Sequence, residues 1–322
     1  MAIELLENQS KEGKLRLLIR KLDFLTLQSR TKIAILFPCI NERLDRFMRK
    51  HLKMLLVSLV ALLSLSTATS TVFVNAEDKE PLLVGMEAAY PPYNWTQSDD
   101  SNDAVAIQNS PDFANGYDVQ IARKIGEALG REVVIVKTEW EGLLPALQSG
   151  KIDMIIAGMS PTEERAKVID FSDPYYSIQF AMVMLKDSAY AEAKSISDFA
   201  DAKVTGQLGT LHYALLEQLE GANVQQAIDA FPVMRVALQS KRIDAYVSEI
   251  PEAISATNAL ADFTYVLLDP SFDVPEADAT ISVGLKKDSP LLEEINKVLA
   301  EISDEEREEI MEKAINTQPG AN

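Results

Sequence analysis

The sequence predicts an α/β protein built from two similar lobes. Three observations carry that reading. From residue 82 onward, short apolar runs of strand length alternate with runs of helical spacing, the pattern of βα units whose helices cover a sheet. Ala146-Leu147-Gln148-Ser149-x-x-Ile152-Asp153 recurs as Ala237-Leu238-Gln239-Ser240-x-x-Ile243-Asp244, 91 residues later, which marks a repeated structural part. The chain has 322 residues, 47% hydrophobic and 25% charged, an ordinary globular composition with length for about two domains.

The elements follow in order. Leu82 to Met86 is a short apolar strand. Asp99 to Asn115 is acidic, Asn/Ser-rich and aperiodic, and reads as a long surface loop. Asp118 to Leu129 places Val119, Ala122, Ile125 and Leu129 on one helix face, with Gly130 as the stop. Val133 to Val136 is a β-branched run and reads as a buried strand. Leu143 to Gln148 is a short helix ended by Gly150, and Asp153 to Ala157 is the next strand. Such βα units predict parallel sheets. Each copy of the repeat is a helix end, a tight turn and a strand. Each strand then runs into a polar, proline-containing turn that opens a helix: Gly158 to Thr162 in the first copy, Ser248 to Glu252 in the second. Ligands of open α/β sheets sit beyond the carboxyl ends of the strands, so two such edges facing each other form a cleft.

The charge is uneven. Residues 1–76 carry 12 Lys+Arg and 6 Asp+Glu, whereas residues 77–322 carry 19 and 43. The break follows an apolar run, Met54 to Leu65, preceded by Arg49, Lys50 and Lys53 and followed by small residues ending Val74-Asn75-Ala76. A basic region, an apolar stretch shorter than a bilayer span and a small-residue end describe a secretory signal at residues 48–76, the alternative being a membrane anchor that is never cleaved. Residues 1–47 then read as an upstream extension outside the fold. Residues 77–322 hold no cysteine, since Cys39 lies upstream, and the lipoprotein attachment cysteine is missing. So acidic a surface argues against nucleic acid, which needs a basic footprint.

Catalytic constellations are scarce. His212 is the only histidine after residue 76, so no histidine pair exists for a metal, and neither a phosphate loop nor a nucleophile elbow is present. The expectation is no catalytic residue, no metal and no cofactor. What the sequence does offer are recognition groups at strand ends. Ser160 to Arg165 opens a helix whose free N–H groups favour an anion, and the Arg165 fork suits a carboxylate. The competing role for Arg165 is a surface pair with Glu163, Asp170 or Asp173. Gly209-Thr210 opens a second helix at the same edge. Glu249 ends a strand, where it either holds an ammonium group or satisfies a helix dipole. Tyr90 and Trp140 lie on loops after strands and either flank a ligand or belong to the core.

The run from the first strand to Tyr176 resembles the extracellular solute-binding proteins of polar amino-acid ABC importers. The matching pieces are Val84 to Tyr93 (VGMEAAYPPY), Gly116-Tyr117-Asp118-Val119, Trp140-x-x-Leu143-Leu144-Pro145-Ala146-Leu147, Gly150-Lys151-Ile152-Asp153, Ser160 to Arg165 (SPTEER) and Phe171 to Tyr176 (FSDPYY). Downstream, Gly209-Thr210, Ile243-Asp244-Ala245 and Val283 to Lys287 match as well. The resemblance implies a periplasmic-binding-protein-like fold, two mixed sheets flanked by helices with a two-strand hinge. Residues 77–177 plus 283–322 would form the first lobe and 181–275 the second. It also implies roles. Arg165 would grip an α-carboxylate, helped by amides near Ser160 and Thr210. Glu249 would bind the α-ammonium, with Ala157 and Gly158 beside it. Tyr90 and Trp140 would flank the ligand side chain, and Glu87 would stand near its tip. Leu211 departs from the small hydroxyl many members carry, and His212 beside it is either a pocket residue or a surface helix position. The implied function is extracytoplasmic capture of a polar L-amino acid, Arg or Lys in preference, by a monomer that delivers it to an ABC permease and its cytoplasmic ATPase. Glutamine, or a cyclohexadienyl or arogenate dehydratase activity on the same fold, is the alternative.

Overall fold

The computed structural model describes residues 79–320. The upstream extension, the signal segment and Cys39 lie outside the described residues. Among those described, no helix is long and apolar enough to cross a membrane.

Strand β1 (Leu82–Met86) falls where the apolar run predicts it and lies inside a five-stranded sheet. It pairs in parallel with β6 (Val133–Lys137) on one side and β7 (Met154–Ile155) on the other. Two more strands complete the sheet: β14 (Thr280–Leu285), antiparallel to β7, then β8 (Asp170–Ser177) at the far edge, antiparallel to β14. The second sheet repeats this plan. Strands β11 (Asn223–Val224), β10 (Lys203–Thr205) and β12 (Ala245–Glu249) are parallel. Strand β9 (Phe180–Leu185) follows antiparallel to β12, and β13 (Phe263–Val266) antiparallel to β9. Both sheets are therefore mixed, not purely parallel as the βα alternation alone suggests. The reversed members, β9 and β14, are the strands that follow the two crossings between the lobes, which no βα unit could supply.

The sequence repeat has a physical basis. In the first copy the Asp153 carboxylate accepts the Leu83 N–H at 2.9 Å, and its own N–H donates to Leu83 O at 2.8 Å. In the second copy Asp244 makes the same two bonds with Lys203, at 2.8 and 2.7 Å. Ser149 and Ser240 close the preceding helix ends by donating to Ala146 O and Ala237 O, each at 3.1 Å. The short motif is thus a device that locks a helix end and aligns the next strand with the sheet.

Helix α1 (Tyr117–Leu129) buries the expected Val119, Ala122, Ile125 and Leu129 face, and Gly130 caps it in the left-handed conformation. Helix α2 (Trp140–Ser149) starts earlier than the apolar spacing indicates, so Trp140 is its first residue and not a loop residue. Two further expectations differ. Strand β6 is an edge strand in which only Ile135 is fully covered. The Asp99 to Asn115 segment is not a plain loop. Strands β4 (Val105–Ala106) and β5 (Phe113–Asn115) lie in it and join β2 (Ala89–Tyr90) and β3 (Asn94–Gln97) in a small sheet. Buried Val105, Ile107 and Ala114 anchor it, too few apolar residues to show as a period.

Two segments cross between the lobes, residues 178–179 after β8 and 267–279 before β14. They are tied together where Ile178 N–H donates to Ala279 O at 2.9 Å. Helices α3 (Glu163–Ala166), α4 (Leu211–Ala214), α5 (Phe231–Gln239) and α6 (Ile250–Ala259) stand at the inner ends of the sheets. Helices α7 (Leu292–Glu301) and α8 (Asp304–Thr317) return to the first lobe. Arg307 of α8 donates to Pro174 O at 3.1 Å, and Gln318 beyond it takes the Ser255 hydroxyl of α6. The end of the chain therefore touches both lobes.

Candidate functional site

Four strand ends converge on one cleft. The first sheet contributes the segments after β1 and β7, and the second contributes the segment after β10 and the last residue of β12. They enclose a cavity of about 20 Å³, space for roughly one water. Nine of the ten expected site residues line it: Tyr90, Trp140, Ala157, Gly158, Ser160, Arg165, Thr210, Leu211 and Glu249.

Arg165 sits in α3, a single turn whose Thr162 caps it by accepting from Arg165 N–H at 3.4 Å. Its guanidinium donates to Ser160 O at 2.9 Å and to Gly209 O at 3.2 Å, and it lies 5.1 Å above the Trp140 ring. Among the described residues no carboxylate stands within ion-pair distance of it. Glu163 pairs with Lys167 and Asp170 with Lys287, so the surface-pair role is not the one found. Burial pulls the Arg165 guanidinium down to about 10, because a charge in a dry cleft lacks hydration. A cation held only by carbonyls and an aromatic face retains its capacity for an anion.

Glu249 is 2% exposed. It stands at the helix-cap position before α6 yet makes no capping hydrogen bond. Its carboxylate instead accepts from the Tyr90 hydroxyl of the first lobe and lies 2.9 Å from His212 Nε2. Burial and the nearby Glu249 charge push the Tyr90 phenol well up, so it remains a donor.

The aromatic pair differs from expectation. Tyr90 has both faces covered, by Tyr93 at 4.9 Å and Phe231 at 4.3 Å. The Trp140 face carries Arg165, and its Nε1 donates to Gly209 O at 3.0 Å. Neither ring has both faces open, because flat apolar faces in a closed cleft pack on the nearest flat group. Gly158 makes the Tyr90 position possible. Its φ is +63°, and a Cβ there would stand 3.1 Å from the Tyr90 ring.

Glu87 is the one expected site residue off the cavity wall. It is 6% exposed, and Gln207 stands between it and the cavity, donating to both carboxylate oxygens at 2.9 and 3.0 Å. A buried carboxylate needs donors, and the Gln207 amide is the nearest. Burial still pushes Glu87 up to about 7. Beneath Gly158, the fully buried Asp118 accepts from Asn94 at 2.8 Å and Tyr175 at 2.8 Å, and burial raises it to about 7 too. Both folded carboxyls hold protons that the unfolded chain has already released near its ordinary values of 4.5 and 3.8. Stability therefore falls as pH rises through that window to about 7. Calorimetric melts should show a lower Tm at pH 8 than at pH 5, with a shallower fall in Glu87→Gln; an unchanged slope in the variant refutes the assignment to Glu87.

The cavity wall also holds Ile178, Phe180, Gln207 and His212. Ile178 and Phe180 carry no sequence signal, since apolar residues at a strand start read as core. Gln207 had one available, its place two residues before the Gly209-Thr210 turn. His212 is resolved as a buried wall residue.

Comparison with known proteins follows from this geometry. Residues 82–317 match the family model of bacterial extracellular solute-binding proteins, family 3. The probable histidine-binding protein of Campylobacter jejuni is 32% identical over 206 residues, 63% of this chain and 74% of that one. The arginine-binding extracellular protein ArtP of Bacillus subtilis is 27% identical over 262 residues, 80% of this chain and 94% of that one. A Streptococcus pneumoniae amino-acid ABC transporter substrate-binding protein, solved bound to L-arginine, superposes with a TM-score of 0.65 at 28% identity, covering 74% of this chain and 94% of its own. With a family match spanning nearly all the described residues, and two lobes closing on a polar cleft, the chain belongs to the bacterial extracellular solute-binding proteins, family 3.

Proposed function

We propose that this protein captures a polar L-amino acid with a basic side chain outside the cell membrane and hands it to an ABC permease and its ATPase. One observation supports the reading above the others. Arg165 from the first lobe and Glu249 from the second line a single cavity, and a zwitterion carries the two opposite charges that match them. A ligand held this way bridges the lobes and favours the closed form by its differential affinity for it. A cavity of about 20 Å³ is too small for an amino acid, so the lobes must part to admit one. The residue roles are those the family resemblance implies: Arg165, with Ser160, Thr210 and Leu211 beside it, takes the carboxylate. Glu249 takes the ammonium near Ala157 and Gly158. Tyr90 and Trp140 shape the side-chain channel, and Glu87 behind Gln207 supplies a carboxyl that carries negative charge above about pH 7. The preference for a basic side chain draws on that buried acid and on relatives named for arginine and histidine. The protein acts as a monomer and without a catalytic step.

A thermal-shift screen over the twenty amino acids tests this. Ligand at about 100 times Kd adds ~2.7 kcal/mol of stability, and a chain of this size gains about 2–4 °C per kcal/mol. Arginine or lysine is expected to raise Tm by roughly 5–10 °C. No shift with any amino acid sinks the function; a shift with glutamine alone sinks the side-chain preference.

A further inference from the structure

His212 is the one histidine of the described residues and lies on the wall of the cavity, 6% exposed. Its ring is held edge-on between Phe180 at 6.1 Å and Phe231 at 5.6 Å, with interplanar angles of 80° and 88°. Those contacts leave it little freedom to turn. Nε2 lies 2.9 Å from Glu249 Oε1 without a hydrogen bond between them, and Nδ1 is buried with no hydrogen-bond partner among the described residues. A buried imidazole with both nitrogens poorly paired is unusual. Here it touches the same carboxylate that the proposed ligand ammonium needs.

We infer that His212 sets the charge of the ammonium subsite, leaving Glu249 free for a ligand cation when neutral and taking Glu249 for itself when protonated. This rests on the amino-acid-binding reading above. The physical reason is competition for one anion. Imidazolium and ammonium are both cations, and Glu249 is the only carboxylate on the cavity wall among the described residues. The Tyr90 hydroxyl already occupies its other oxygen. A proton on His212 therefore neutralises the subsite and repels the arriving ammonium. The other charged or titratable groups around this site are Tyr90 on β2, Arg165 of α3 on the cavity wall, Glu87 behind Gln207 and Asp118 of α1 beneath Gly158, with the Tyr93 and Tyr176 phenols also facing Glu249. Strand β9 presents Phe180 and α5 presents Phe231, while Arg235 of α5 is turned to Glu252. His212 therefore acts through Glu249 as a positioning residue with a pH-dependent output: capture near neutrality and weaker retention in acid.

Calorimetric titration of L-arginine at pH 8 and pH 5.5, with L-histidine and L-glutamine as second and third probes, tests this. Wild type is expected to bind about tenfold more weakly at pH 5.5, within the usual size of coupling between two sites. His212→Gln should lose most of that difference; the slope left in the variant is the share of Glu87 and Asp118. A purely structural His212 would instead weaken binding equally at both pH values. A second measurement does not need that variant to fold. The chain has two histidines, His51 and His212, so His51→Gln protein gives one imidazole NMR signal. Linkage requires saturating L-arginine to move its titration midpoint to lower pH. An equal affinity at both pH values in wild type, or a midpoint that ligand does not move, overturns the inference while leaving the binding function intact. No binding by any of the three probes at pH 8 overturns both.

Discussion

Arg165→Ala is expected to weaken amino-acid binding by about two to four decades, the equivalent of ~3–5 kcal/mol for removing one partner of a buried charge pair. The guanidinium sits in the cleft without a carboxylate partner among the described residues. The two carbonyls it holds, Ser160 O and Gly209 O, can be rehydrated once it is gone. The fold should therefore lose little stability while the ligand loses its charged anchor. Isothermal calorimetry at pH 8 measures the first quantity and a melt of the free protein the second. Arg165→Lys should fall between, because an ammonium keeps the charge but not the planar fork that meets a carboxylate with two bonds. Unchanged affinity in Arg165→Ala would remove the carboxylate site from this cleft.

Arg235→Ala is expected to have the largest effect on stability, about 3–5 kcal/mol. The Arg235 guanidinium donates to Glu252 Oε1 from two nitrogens at 3.0 and 2.7 Å, and to the Ser255 hydroxyl at 3.0 Å. Glu252 is fully buried and also accepts from Tyr246 at 3.2 Å and Ser248 at 2.6 Å. Removing the arginine strands a charge that cannot reach water. At about 2–4 °C per kcal/mol, Tm should fall by roughly 10 °C, read by scanning calorimetry. The double change Arg235→Met with Glu252→Leu should recover much of the loss, because an apolar pair carries no desolvation penalty. If the single and double variants melt alike, the pair is not what stabilises this region.

The two predictions differ in how far sequence alone could reach. Arg165 is legible because it follows a polar proline turn at a strand end. The strand-end rule tells where such a turn points. Arg235 and Glu252 are seventeen positions apart on two helices, and each looks like an ordinary helical charge until α5 and α6 pack against β12. The same contrast runs through the cleft. Nine expected residues line one cavity because strand ends in an α/β sheet share an edge, a consequence of local pattern. Their pairings do not follow from that pattern. The Tyr90 bond to Glu249 and the Gln207 bonds to Glu87 each join residues more than a hundred positions apart, across two lobes. Which donor meets which buried carboxylate depends on how the lobes close.

Periodicity, turn chemistry and the repeated Ala-Leu-Gln-Ser motif by themselves determined the α/β class, the two similar lobes and the edge at which a ligand would bind. These are short-range properties, set within a few residues of each signal. Only the tertiary structure decided that Glu87 stands behind Gln207, that Tyr90 offers its hydroxyl and not its face, and that His212 shares Glu249. Each of those outcomes is a competition among distant groups for a limited number of buried partners. A desolvated charge takes whichever donor the fold brings within about 3 Å, and nothing in the order of residues along the chain names that donor.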